Sequence, residues 1–142
     1  MSDGLPKVFI DTNVWFSYLY GSKNCESLAN AHTQGKIKAV ISRQVLEEIV
    51  RNLKEKIPTA IPVFEKFIET TPPAIIKDPL KVSKKISELA SHEDRFILGS
   101  AFSAKVKCFV TGNVKDFNVE KIFKTFGIKV LTPNQAVEEF DL

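Results

Sequence analysis

With 142 residues, 44% hydrophobic and 26% charged, the chain is long enough for one domain with its own core and too ordinary in composition for a disordered or fibrous protein. Twenty Lys and Arg against 17 Asp and Glu give a formal net charge of +3, spread along the chain, which permits an anionic partner without demanding one. Two cysteines, Cys25 and Cys108, with no Cys-x-x-Cys pair and no His in ligand spacing, give no support to a disulfide framework or a zinc centre and suit a reducing compartment.

Lys7 to Ile10 is short, β-branched and aromatic, which predicts a central buried strand, and Asp11-Thr12-Asn13 turns it into a polar loop. Ser22 to Gln34 reads as a helix capped by Ser22 and stopped by Gly35, and Ile37 to Ile41 restores strand character. Ser42 is the N-cap of a helix whose apolar positions Val45, Leu46, Ile49, Val50 and Leu53 recur at helical spacing until Pro58. A helix over Ala60 to Glu69 follows, then a turn at Pro72-Pro73 and the apolar group Ala74-Ile75-Ile76. The densest positive cluster, Lys77, Lys81, Lys84 and Lys85 beside Asp78 alone, reads as a solvated patch. Lys84 to Ala90 is a helix without a strong start signal.

Ser91 with Asp94 three residues on matches a capping box, opening a deeply buried helix through Phe102. Cys108 to Val110 is a strand ending in Thr111-Gly112-Asn113. Asn118 to Phe126 is a helix stopped by Gly127, Ile128 to Leu131 a strand, and Thr132-Pro133 the start of a last helix. This alternation predicts a single α/β domain over residues 1–142, with a core over about 7–140 and a central parallel sheet flanked by helices on both faces. Ligands in such sheets bind at the carboxyl ends of the strands, and two of those ends carry polar clusters. Met1 to Lys7 lacks the basic start and apolar run of a signal peptide, and no stretch reaches the ~20 apolar residues of a membrane helix. A cytoplasmic protein with no membrane partner is the expectation.

Phosphate loops, dinucleotide fingerprints and nucleophile elbows have no match in the chain. The two histidines, His32 and His92, read as helix-surface or cap residues. The acids carry more information. Asp11 at a strand end is either the cap of an Asx-turn or a carboxylate that a cation compensates. Asp94 at a helix start has a ready structural role in the helix dipole. At ~100° per residue, Glu47 and Glu48 both lie about 130° from the centre of their helix's apolar face, on opposite flanks, so helical geometry does not choose between them. Asp116 is either a loop acid or a ligand near the second polar strand end.

Taken together these residues resemble the PIN-domain family, metal-dependent ribonucleases that include the toxin halves of VapC-type toxin–antitoxin pairs. Val8-Phe9-Ile10-Asp11-Thr12-Asn13 looks like the opening motif. Ser42 followed six residues later by Glu48 and then Ile49 looks like the second, which favours Glu48 over Glu47. Glu93-Asp94-Arg95-Phe96-Ile97-Leu98-Gly99-Ser100-Ala101 is similar to the third. Val110-Thr111-Gly112 resembles the next strand end, but Asn113 stands where the family often has an acid, and Asp116 lies three residues on.

The resemblance implies an RNA-cleaving enzyme with Asp11, Glu48 and Asp94 as catalytic acids, Asp116 as a further metal ligand, and Mg²⁺ or Mn²⁺ as cofactor, in keeping with hard carboxylate donors. It implies that Thr12, Asn13, Thr111 and Asn113 orient ligands or touch phosphate and that Arg95 contacts RNA, with an antitoxin or a second copy as protein partner. Two other readings compete: a degenerate PIN-like domain that binds RNA or protein without cutting, and a small-molecule phosphatase of the haloacid dehalogenase type. The latter needs a second Asp two residues after its nucleophile, where this chain has Asn13.

Overall fold

The central strand β1, Lys7–Ile10, buries Val8, Phe9 and Ile10 in succession. Neighbouring residues of a strand point to opposite faces, so three buried in a row mean that both faces of the sheet are covered by helices. The same holds for β2, Lys38–Ser42, and β4, Cys108–Val110. With β3, Ala74–Ile76, and β5, Lys129–Leu131, they form a parallel sheet in the order β3-β2-β1-β4-β5. Phe9 pairs in register with Phe109, and their rings stack with centroids 5.2 Å apart. The computed structural model describes residues 4–142, so of the Met1 to Lys7 stretch read above, Met1 to Asp3 lie outside the described residues.

Most connections are helices where periodicity places them: α2, Lys23–Thr33, capped by Ser22; α3, Arg43–Lys56, capped by Ser42; and α4, Ile61–Thr70, after a short 3-10 turn at Pro58–Ala60. Later come α5, Lys84–Ser87; α6, Arg95–Ser103; α7, Val119–Phe126; and α8, Pro133–Glu139, which opens with a capping box of Thr132 and Gln135. Gly127 ends α7 at φ 73°, the left-handed conformation that a side chain resists. No helix among the described residues is long and apolar enough to cross a membrane.

Four local expectations are corrected. Residues after Asp11 are not a loop but a helix, α1, Thr12–Leu19. Its β-branched and aromatic sequence has poor helix propensity, and burial of Val14 and Trp15, with the Trp15 indole N–H donating to Ile10 O at 3.0 Å, overrides it. The helix after Ser91 starts only at Arg95, and there is no capping box: the Ser91 hydroxyl donates to Asp94 Oδ2 at 2.7 Å instead of accepting from the backbone. The helix expected over Lys84 to Ala90 is a single turn that does have a start signal, Ser83 Oγ accepting from Ile86 N–H at 3.2 Å. Beyond its end Ala90 bridges to Phe117.

His32 is a buried residue and not a surface one. Its Nδ1 accepts from Ala39 N–H at 3.1 Å, so Nε2 carries the proton and donates to Thr71 O at 2.9 Å. Burial holds its pKa below the usual imidazole range, in keeping with a neutral structural ring.

Gly99 marks the tightest approach of α6 to the loop after β3. A Cβ there would lie 2.6 Å from Val82 Cγ1 and 3.2 Å from Pro79 Cγ. Valine is stiff at χ1 and cannot swing away. Gly99→Ala is expected to cost about 1–3 kcal/mol in urea unfolding, with Val82→Ala in the same chain restoring part of the loss. An unchanged midpoint in the single variant would contradict this packing.

Candidate active site

Asp11 N–H donates to Val110 O at 3.0 Å, so the carboxyl ends of β1 and β4 leave the sheet side by side. Asp11 then caps α1: Oδ1 accepts from Thr12 N–H at 2.8 Å, while Oδ2 accepts from the Thr111 hydroxyl at 3.0 Å and from Asn13 Nδ2 at 3.5 Å. Asn13 also accepts Gly112 N–H through Oδ1 at 2.8 Å, and Asn113 N–H donates to Thr111 Oγ1 at 3.1 Å. The polar residues at the two strand ends are thus one hydrogen-bonded unit.

Asp11 is only 5% exposed. Desolvation pushes its pKa up to about 6; the bonds from Thr12 and Thr111 oppose the rise, and the charges of Asp94 and Glu48 add to it.

The two candidate acids on α3 separate cleanly. Glu48 Oε1 accepts the Thr12 hydroxyl at 2.6 Å and Oε2 accepts Gln44 Nε2 at 3.3 Å, whereas Glu47 lies exposed on another face beside Arg51 and Lys54. Asp94 comes from the turn before α6. Burial raises its pKa most; the Ser91 hydroxyl opposes the rise, and Asp116, Glu93 and Glu48 reinforce it.

Asp11, Glu48 and Asp94 line one cavity of about 640 Å³, together with Thr12, Asn13 and Asn113. Asp116 instead lines another cavity beside Glu88 and Phe117, though its carbonyl accepts Ser91 N–H at 3.0 Å and so steadies the turn that carries Asp94. Arg95 rests its guanidinium over the Phe96 ring, 4.9 Å from the centroid, with Nη1 3.0 Å from His92 Nδ1.

Several residues here escaped the reading of the sequence. Phe16, Ser17, Asn52 and Lys56 extend the cavity away from the acids. The signal lay in spacing: Gln44, Glu48, Asn52 and Lys56 recur every fourth residue and form one stripe along α3. Asp78 was read only as the acid among lysines. Its Oδ2 accepts Gln44 N–H at 2.8 Å and its Oδ1 accepts the Ser100 hydroxyl at 3.3 Å, so it ties α3 to α6, whose starts bear Glu48 and Asp94.

The donor set is all oxygen and amide, with no thiolate or imidazole in the cavity lining, which suits a hard divalent cation over zinc. Among the described residues no three His, Cys, Asp or Glu side chains converge closely enough to cage an ion unaided. Mg²⁺ does not require that, because it keeps several waters and binds through one or two carboxylates. The donor chemistry of the lining therefore fits a hydrated divalent ion.

Because folding raises the pKa of Asp11, its contribution to stability is full below about pH 3.8 and is lost as pH rises through about 6. In metal-free buffer Asp11→Asn should therefore raise stability at pH 8 by up to about 3 kcal/mol, a gain that shrinks as pH falls through 6. Thermal unfolding at both pH values checks this, and an equal or opposite effect at pH 8 would contradict it.

A family model described as the PIN domain matches residues 7–115, a span that includes Asp11, Glu48, Asp94 and Asn113 and stops one residue short of Asp116. Among solved structures, a chain of the crystal structure of VapBC2 from Rickettsia felis bound to a DNA fragment from their promoter is similar over 89% of this chain and 98% of that chain, with a TM-score of 0.60. At 17% identity that likeness is one of fold. No curated protein matches the chain significantly in sequence. With its first four strands and Asp11, Glu48 and Asp94 inside the matched span, the chain belongs to the PIN-domain family.

Proposed function

We propose that this chain is a metal-dependent endoribonuclease that hydrolyses RNA phosphodiester bonds as the toxin half of a toxin–antitoxin pair. The observation that carries the reading is the meeting of Asp11, Glu48 and Asp94, from three separate segments, in one cavity at the carboxyl ends of the strands. Family membership supports nuclease chemistry. The fold shared with a chain of a VapBC2 complex supports an antitoxin as partner, and a second copy of the chain is the other partner this reading admits. Cytoplasmic RNA is the substrate it requires.

Mg²⁺ or Mn²⁺ held by Asp11 and Asp94 would supply charge for the phosphoryl oxygens and acidify a water for in-line attack. Thr12 and Gln44 hold the Glu48 carboxylate, which would orient an attacking water and take its proton. Thr111 and Asn13 fix the Asp11 carboxylate. The Asn113 side chain offers a neutral amide to phosphate, and Arg95, next to Asp94, offers positive charge to the RNA backbone. Asp116 acts on the site through its charge, which adds to the rise in the Asp94 pKa, and it would be a ligand only if a second ion were bound.

Asn113, in place of a family acid, favours a second reading: a domain that binds RNA or a protein without cutting. Incubation of end-labelled structured RNA with Mg²⁺ or Mn²⁺ separates the two. Wild type should cut, EDTA should stop it, and Asp94→Asn purified identically should be slower by about 100-fold or more. Equal cutting by both proteins would contradict the carboxylate mechanism, and binding without cutting by wild type would establish the second reading.

A further inference from the structure

The acid cavity does not end at the acids. From Glu48 the stripe on α3 passes through the amide of Asn52 to the ammonium of Lys56, eight residues and about 12 Å further along the helix axis. Facing it on α1, Phe16 lines the same cavity. The Phe16 ring stacks with Tyr20, centroids 5.9 Å apart and planes 15° from parallel, and Lys56 Nζ sits 5.5 Å from the Phe16 centroid. Tyr20 is 73% exposed, so the ring face turned away from Phe16 is open to solvent.

We propose that Tyr20, Phe16 and Lys56 form a shelf on which an unpaired base next to the cut phosphate stacks, with Lys56 holding the neighbouring phosphate. The proposal rests on the nuclease reading and adds to it the residues that select an unpaired nucleotide. Charge along the groove supports this occupant. The acidic end suits a cation and the phosphate it would hold, the middle is neutral, and the far end is cationic and aromatic, the combination that holds single-stranded nucleic acid. The rim of Ser17, Asn52 and Lys56 is polar where a docked apolar helix would require aliphatic side chains. A duplex would present no base face to Tyr20.

The test uses the Asp94→Asn protein, in which cutting is expected to be slow enough for binding to be measured, and a short single-stranded oligoribonucleotide containing 2-aminopurine. Emission from the probe should fall on binding to this parent and stay near its free value with Tyr20→Leu added. Tyr20→Leu should weaken affinity about tenfold with an unchanged salt dependence and an unchanged melting temperature. Lys56→Gln should instead lower the slope of log affinity against log salt by about 0.7. An abasic oligonucleotide of equal length should bind the parent and Tyr20→Leu equally, and the matching duplex should compete poorly. If Tyr20→Leu leaves affinity and emission as in the parent while wild type still cuts RNA, the shelf is overturned. If wild type neither binds nor cuts RNA, the nuclease reading falls and the shelf with it.

Discussion

Burying the carboxylate of Asp11 at the end of the central strand is the constraint around which this structure is arranged. A carboxylate that has lost its water must be repaid in hydrogen bonds or in opposite charge. The chain supplies the bonds: Thr12 N–H, the Thr111 hydroxyl and Asn13. It does not supply the charge. The salt bridges among the described residues are Lys124 with Glu120 and Lys129 with Glu139, on α7 and between β5 and α8, outside the cavity lining. Two further acids, Glu48 and Asp94, are brought in, and their charges raise the Asp11 pKa further. Asp11, Glu48 and Asp94 make no ion pair among the described residues, which leaves a negative cluster that a cation from solution would relieve.

The parallel sheet is what makes the gathering possible. Every strand ends on the same side, so each following helix begins there, and polar residues at helix starts from distant parts of the sequence become neighbours. α3 contributes Glu48 one turn from its start, and the turn before α6 contributes Asp94. Asp78, in the loop after β3, clamps these two helices together through Gln44 and Ser100. The bare surface of Gly99 lets that loop sit close against α6. Precision in the cavity therefore depends on packing some distance from it, because helices that shift relative to one another would carry their acids with them.

The sequence reveals the architecture well because strands and helices here differ in period, and caps such as Ser22, Ser42 and Thr132 mark the helix starts directly. It misleads where tertiary forces outweigh local ones. α1 is helical although Thr12, Val14, Trp15 and Phe16 disfavour it, since burial of Val14 and Trp15 decides the matter. Ser91 and Asp94 have capping-box spacing, but the hydroxyl donates to the acid and the helix starts later. Among site residues, Asp11, Glu48 and Asp94 could be nominated from motif resemblance, whereas helical angles left Glu47 and Glu48 equivalent. In the structure, contact with Thr12 and Gln44 and a place in the acid cavity distinguish Glu48 from the exposed Glu47. Asp78 and Tyr20 carry no local signature at all, because what matters about each is a contact with a residue elsewhere in the chain.

The central claim is that Asp11 sits in a charge balance left open for a divalent cation. The most direct measurement is the titration of the Asp11 carboxyl carbon by NMR, followed with and without Mg²⁺. Without the ion the midpoint should lie near 6, and with it the midpoint should fall well below that value, since a bound cation favours the charged form. A midpoint near 3.8, the ordinary value for aspartate, in both conditions would contradict the account, and so would one that stays near 6 when Mg²⁺ is added.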